Sequence, residues 1–132
     1  MKDPVLAIIT RLKANIAIAA IVNTRVYRAK LPANPTFPAI TVSGIFPKRL
    51  NSTHNKTRIG HIRVQCTVWA GSDGTSFNLS ELIADSLDKV TDTYLSPGVF
   101  AIRIDDQGAR PDSNPDLNLW IYHRDFIVQY NV

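Results

Sequence analysis

The side chains best able to do chemistry in this chain are three histidines (His54, His61 and His123), one cysteine (Cys66), and an acidic, turn-rich stretch from Asp105 to Asp116. None of the histidines has a neighbour at metal-ligand spacing such as H-E-x-x-H or C-x-x-C, so no metal site is expected. His61 and His123 fall in segments that read as strands, where a partly exposed polar face accounts for them. Cys66 lies among Ile62, Val64 and Val68 and reads as a small core hydrophobe, and a single cysteine cannot close an internal disulfide. Asp105, Asp106, Asp112, Asn114 and Asp116 offer oxygens to a hard cation, but their spacing misses the calcium-loop pattern and the same residue types make turns. A small hydrolase built on Asp105, Asp106 and His123 would need them in one concave site. There is no Walker A loop, no G-x-S-x-G and no G-x-G-x-x-G. No catalytic residues and no cofactor are expected, and the chain does not read as an enzyme.

Charge is distributed unevenly. The net charge of +4 is modest. From Pro4 to Ser72, however, ten basic residues meet no Asp or Glu, whereas from Asp73 to Val132 ten acidic residues face four basic ones. Within the basic half, Lys48, Arg49, His54, Lys56 and Arg58 cluster in one polar insert and could meet phosphates through counterion release, although aromatic interleaving for base stacking is missing. A non-specific DNA-binding module is therefore an alternative, with an affinity that collapses as salt rises.

The elements that must position these residues follow from periodicity. The chain of 132 residues suits one domain spanning 1–132. Asp3 before Pro4 makes a good helix start, and one helix is predicted to run to about Val22. At about 100° per residue, Val5, Ile8, Ile9, Leu12, Ile16 and Ala19 share its core face. Ala14, Ala17, Ile18 and Ile21 form a second apolar patch, free to meet another subunit. The prolines between Leu31 and Pro38 suit an extended connector. Strands follow at Ala39 to Phe46 and Ile59 to Ala70, paired as a hairpin around the insert Pro47 to Arg58. A second helix is predicted from Phe77 to Tyr94, carrying Glu81, Asp85, Asp88 and Asp92 as an acidic stripe. Strands at Val99 to Ile104 and Leu117 to Tyr130 complete an α+β fold: an antiparallel sheet of about four strands, two helices on one face, order α-β-β-α-β-β. The most apolar stretch, Ala14 to Val22, is far short of the roughly 18 residues of a membrane span, and nothing at the N-terminus reads as a secretory signal, so cytoplasmic synthesis and no membrane partner are expected.

Unlike-charge surfaces on one chain favour head-to-tail contact between identical copies, which closes into rings where the rotation permits. In its N-terminal helix, in Val26-Tyr27, Leu31-Pro32 and Phe37-Pro38-Ala39-Ile40-Thr41-Val42, in His61 to Ala70, in the helix with Leu82, Ile83 and Leu87, and in Tyr122-His123-Arg124-Asp125-Phe126, the chain resembles the tail terminator or tail completion proteins of long-tailed bacteriophages and prophages. The resemblance spans most of the chain. It implies a virion tail protein assembled in the host cytoplasm. Such a protein forms a ring, commonly hexameric, that ends the tail tube and offers a docking surface to the head connector, with DNA passing through its channel. In such a ring the basic insert would point toward that channel or the tube, while the second apolar patch and the acidic stripe, read from periodicity and charge, are the expected subunit-interface residues. A head-side connector or stopper subunit is the nearest alternative.

Overall fold

The computed structural model describes residues 3–51, 58–95 and 98–131. Asp3 opens helix α1, Pro4–Ala14, by accepting a hydrogen bond from the Leu6 N–H at 3.1 Å, with proline in the first turn. The helix does not continue to Val22. Asn15 takes up an extended conformation and its side chain accepts from the Ile18 N–H at 3.1 Å, starting a new helix α2, Ile16–Val22, at 86° to the first. The bend rotates the apolar pattern: Ile18 and Val22 are buried in the core, while Ile16, expected there, is 87% exposed. Among the described residues no single helix is long and apolar enough to cross a membrane.

Among the described residues six strands form one mixed sheet in the order β1-β2-β3-β6-β5-β4. They are β1 Val26–Arg28, β2 Ala39–Asn51, β3 Arg58–Ala70, β4 Thr91–Leu95, β5 Val99–Asn114 and β6 Leu119–Asn131. β1 runs parallel to β2, and every other neighbouring pair is antiparallel. This overturns the expected four-stranded antiparallel sheet with two helices in the order α-β-β-α-β-β: the described residues form six strands, one parallel pairing and three helices.

The reasons are local. Val26–Arg28 is too short to carry a period, and only its pairing with Ile40–Val42 makes it a strand. Helix α3, Asp73–Leu87, starts at a Ser72 cap and stops well before Tyr94. Beyond it the Lys89 N–H donates to the Ile104 carbonyl and the Ile104 N–H to the Val90 carbonyl, both at 2.9 Å, so the chain zips onto β5 as β4. The stretch expected as a loop from Asp105 is strand as far as Asn114. Its turn-forming residues are absorbed in a register shift between Asp106 and Ala109, where Gly108 has φ 96°. Likewise β2 and β3 extend through much of the polar insert, to Asn51 and from Arg58.

All three helices pack on one face of the sheet. The core joins Val5, Ile8 and Leu12 of α1, Ile18 and Val22 of α2, and Leu79, Ile83 and Leu87 of α3 to Ile40, Val42, Ile62, Val64, Cys66, Val68, Phe126 and Val128 of the strands. Burial pushes the Cys66 thiol pKa up to about 12, which leaves it without nucleophilic character. Gly60 sits opposite Tyr130 across β3 and β6, and a Cβ there would stand 2.5 Å from the tyrosine ring.

Candidate functional site

The face of β6 that meets the helices carries one arginine among apolar residues. Arg124, 8% exposed, reaches Asp106 on β5 at 2.8 Å, Glu81 on α3 at 3.1 Å and the Ser80 hydroxyl at 3.2 Å. The guanidinium thus ties the β5–β6 hairpin to α3. Burial acts to raise the Asp106 carboxyl pKa, but the bonds from Arg124 and the Gly108 N–H outweigh it and hold it below its ordinary value. The bonds to Asp106 also raise the Arg124 pKa, so the pair is firmly ionised.

The opposite face of the sheet has a polar ladder instead. Asp125, its side chain 8% exposed, lies between Arg63, at 2.8 Å, and Arg110, at 3.4 Å. His123 meets the Thr67 hydroxyl at 3.1 Å and Asp112 at 3.6 Å, and the Trp69 indole N–H donates to Thr41 at 3.0 Å. The structure therefore separates the hydrolase candidates: Asp106 is held by Arg124 on the helix side, Asp105 pairs with Arg103 at 2.9 Å, and His123 sits on the other face with Asp112. Among the described residues no three His, Cys, Asp or Glu side chains converge as metal ligands.

Among the described residues the exposed apolar side chains include Leu6, Ile45 and the cross-strand pair Tyr94–Phe100, and two further surfaces stand out. One surrounds the β5–β6 turn and the start of α3, where Phe77 is 49%, Leu117 64% and Trp120 43% exposed. Phe77 packs edge-on to Tyr122 with ring centres 5.8 Å apart, Tyr122 donates to Asp73 at 3.0 Å, and Ser76 donates to the Trp120 carbonyl at 3.0 Å. Trp120 and Pro115 help line a small open pocket at the turn. The other surface is the corner between α1 and α2, where Lys13, Ala14, Ile16, Ala17 and Ala20 are exposed.

Of the residues expected at a subunit interface, Ala14 and Ala17 lie on that corner, Ile21 is partly buried against the core and Ile18 is fully inside it. The acidic stripe does not persist as one face. Glu81 is paired with Arg124, Asp85 is exposed on α3, Asp88 caps the helix end and accepts from the Asp106 N–H at 3.0 Å, and Asp92 is on β4 with φ 46°. Of the basic insert, Lys48 and Arg49 fall in β2, opposite His61 and Gly60, and Arg58 starts β3; His54 and Lys56 lie outside the described residues. Sequence reasoning missed Ile16, Phe77, Leu117 and Trp120 as open apolar positions. The signals available were Asn15, a capping residue inside an apparent helix, and a tryptophan beside the turn Pro115–Asn118.

The fold has a counterpart among solved structures. Its architecture matches a chain of the solved structure titled "Virion of native gene transfer agent (GTA) particle", with a TM-score of 0.74, covering 96% of this chain and 93% of that one. At 16% identity this match speaks for the fold. The sequence narrows the class: a family model described as Tail completion protein gp17 matches residues 6–129, and the chain belongs to that family of structural phage tail proteins. The protein is accordingly a component of the virion tail. No curated protein sequence matches it.

Proposed function

We propose that the protein assembles into a ring, a hexamer in the commonest arrangement, that ends the phage tail tube and presents the docking surface for the head connector. The observation that carries this reading is the family match across residues 6–129. Open surfaces of unlike chemistry on one chain, and a second sheet face with no helix over it among the described residues, support contacts to more than one neighbour. The partners are further copies of the chain, the tube protein and the head connector, with DNA passing through the channel without base-specific contact. The end of the β2–β3 hairpin, where Lys48 and Arg49 lie on β2 and Arg58 opens β3, is the part of the subunit that meets that channel or the tube in this reading.

Light scattering of the purified protein at low and high salt, with negative-stain microscopy and a co-sedimentation assay on tail tubes, tests the reading. Closed rings, or a monomer that caps tubes and fixes their length, are the expected results. A monomer that neither closes nor binds tubes overturns it.

A further inference from the structure

Three candidates outside the mechanism above bear on interaction. The β5 edge beyond β4 carries Asp105, Asp106, Asp112, Pro111 and a bulge, all devices that block strand addition, so it offers no partner site. The polar ladder around Asp125 satisfies its own charges within the chain. Of the open apolar surfaces, the α1–α2 corner and the β5–β6 turn differ in a way that fits one to the other.

We propose that the α1–α2 corner of one copy docks on the aromatic surface at the β5–β6 turn of a second copy. This rests on the assembly reading and specifies which surfaces meet. Neither surface is covered by its own chain: Ile16 projects with 87% exposure from a patch otherwise made of alanines, while Trp120, Phe77 and Leu117 keep 43%, 49% and 64%. Ala14, Ala17 and Ala20 are small and exposed beside Ile16, which leaves room for aromatic rings to approach the helix, and the β5–β6 turn carries an open pocket lined in part by Trp120. The charges are complementary as well. The corner carries Lys13 and belongs to a segment, Pro4 to Ser72, that has no acidic residue, whereas Asp73 and Asp116 flank the aromatic surface. An apolar centre with opposite charges at its rim is the arrangement that gives both affinity and orientation. The two halves are different surfaces of one chain, so the contact is head-to-tail and propagates from copy to copy until it closes. A second copy is the occupant because the chain itself supplies the matching half.

Mixing two single variants, Ile16→Cys and Leu117→Cys, in the presence of a short bismaleimide tests the contact. Both positions point to solvent, so folding should be retained, as circular dichroism will check. Cys66 is buried and does not compete. Cross-linked dimer is expected to form several-fold more in the mixture than with either variant alone. Trp120→Ser is expected to weaken self-association by roughly tenfold or more, as loss of a buried aromatic anchor does. A wild-type protein that sediments as an oligomer while the mixture gives no cross-link, or while each variant alone links as well as the mixture, overturns this contact and leaves the assembly reading standing. A wild-type protein that stays monomeric with and without tail tubes overturns both.

Discussion

Replacing Arg124 by alanine should be among the most damaging single changes in this domain. The guanidinium is buried, and its loss leaves Asp106, with a side chain 16% exposed, without its main partner and takes a donor from Glu81 and Ser80. Breaking a buried ion pair by removing one side costs about 3–5 kcal/mol, because the other charge stays desolvated. Glu81 is 45% exposed and recovers most of its hydration, so the expected cost lies at the lower end, about 3 kcal/mol. For a domain of this size that corresponds to a fall in Tm of roughly 10 °C. Urea unfolding of Arg124→Ala beside the double variant Arg124→Met with Asp106→Leu checks the cause, since removing both charges should restore at least half of the loss. The pH dependence adds a second check. The folded-state pKa of Asp106 is lowered, so its contribution is present above the ordinary carboxylate range and is lost as pH falls through the folded value. Arg124→Ala should therefore be less sensitive to acid than the wild type. A single variant within about 0.5 kcal/mol of wild type, or a double variant no better than the single, would refute the reasoning.

Gly60→Ala should destabilise by about 1–3 kcal/mol, because the added carbon meets the Tyr130 ring at 2.5 Å; the same change at Gly74, which has nothing within 4 Å, is the control in thermal melts. Asn15→Ala should cost roughly 1 kcal/mol in chemical denaturation by removing the cap of α2, with the bend retained, since a straight helix would draw Ile18 and Val22 out of the core.

The alternation of Ile62, Val64, Cys66 and Val68 was legible in the sequence because a strand covered on one face must repeat every second residue. The start of α1 was equally legible, from a capping carboxylate and a proline whose effects are local. What could not be read locally is what long-range pairing imposed. Thr91–Leu95 continues a helical pattern acceptably, yet it becomes strand because β5 offers its edge. Val26–Arg28 and Gln107–Asn114 are strands only through their neighbours, the latter despite glycine, proline and aspartates that favour turns when alone. Asn15 was a readable signal, outweighed by an apolar run whose helical period stays continuous on either side of the break.

The candidate site shows the same division between local and non-local causes. Charge segregation along the chain is a property of sequence, and it suggests contact between unlike surfaces. Which charges remain free to make such a contact depends on the fold. Glu81 is engaged by Arg124, itself from the acidic half, and Asp88 is spent on a backbone N–H, so two of the four stripe carboxylates are held within the chain, while Asp85 stays exposed on α3. The exposed charges beside apolar surfaces are Lys13, next to Ile16, and Asp73, which also accepts from Tyr122, and Asp116, next to Phe77 and Leu117. A head-to-tail contact is therefore supported by the structure's open surfaces more than by the linear pattern that first suggested it. It also carries a requirement the pattern lacked: exchanging Lys13 and Asp116 together should preserve association that either reversal alone weakens, as opposite charges facing each other across a contact demand.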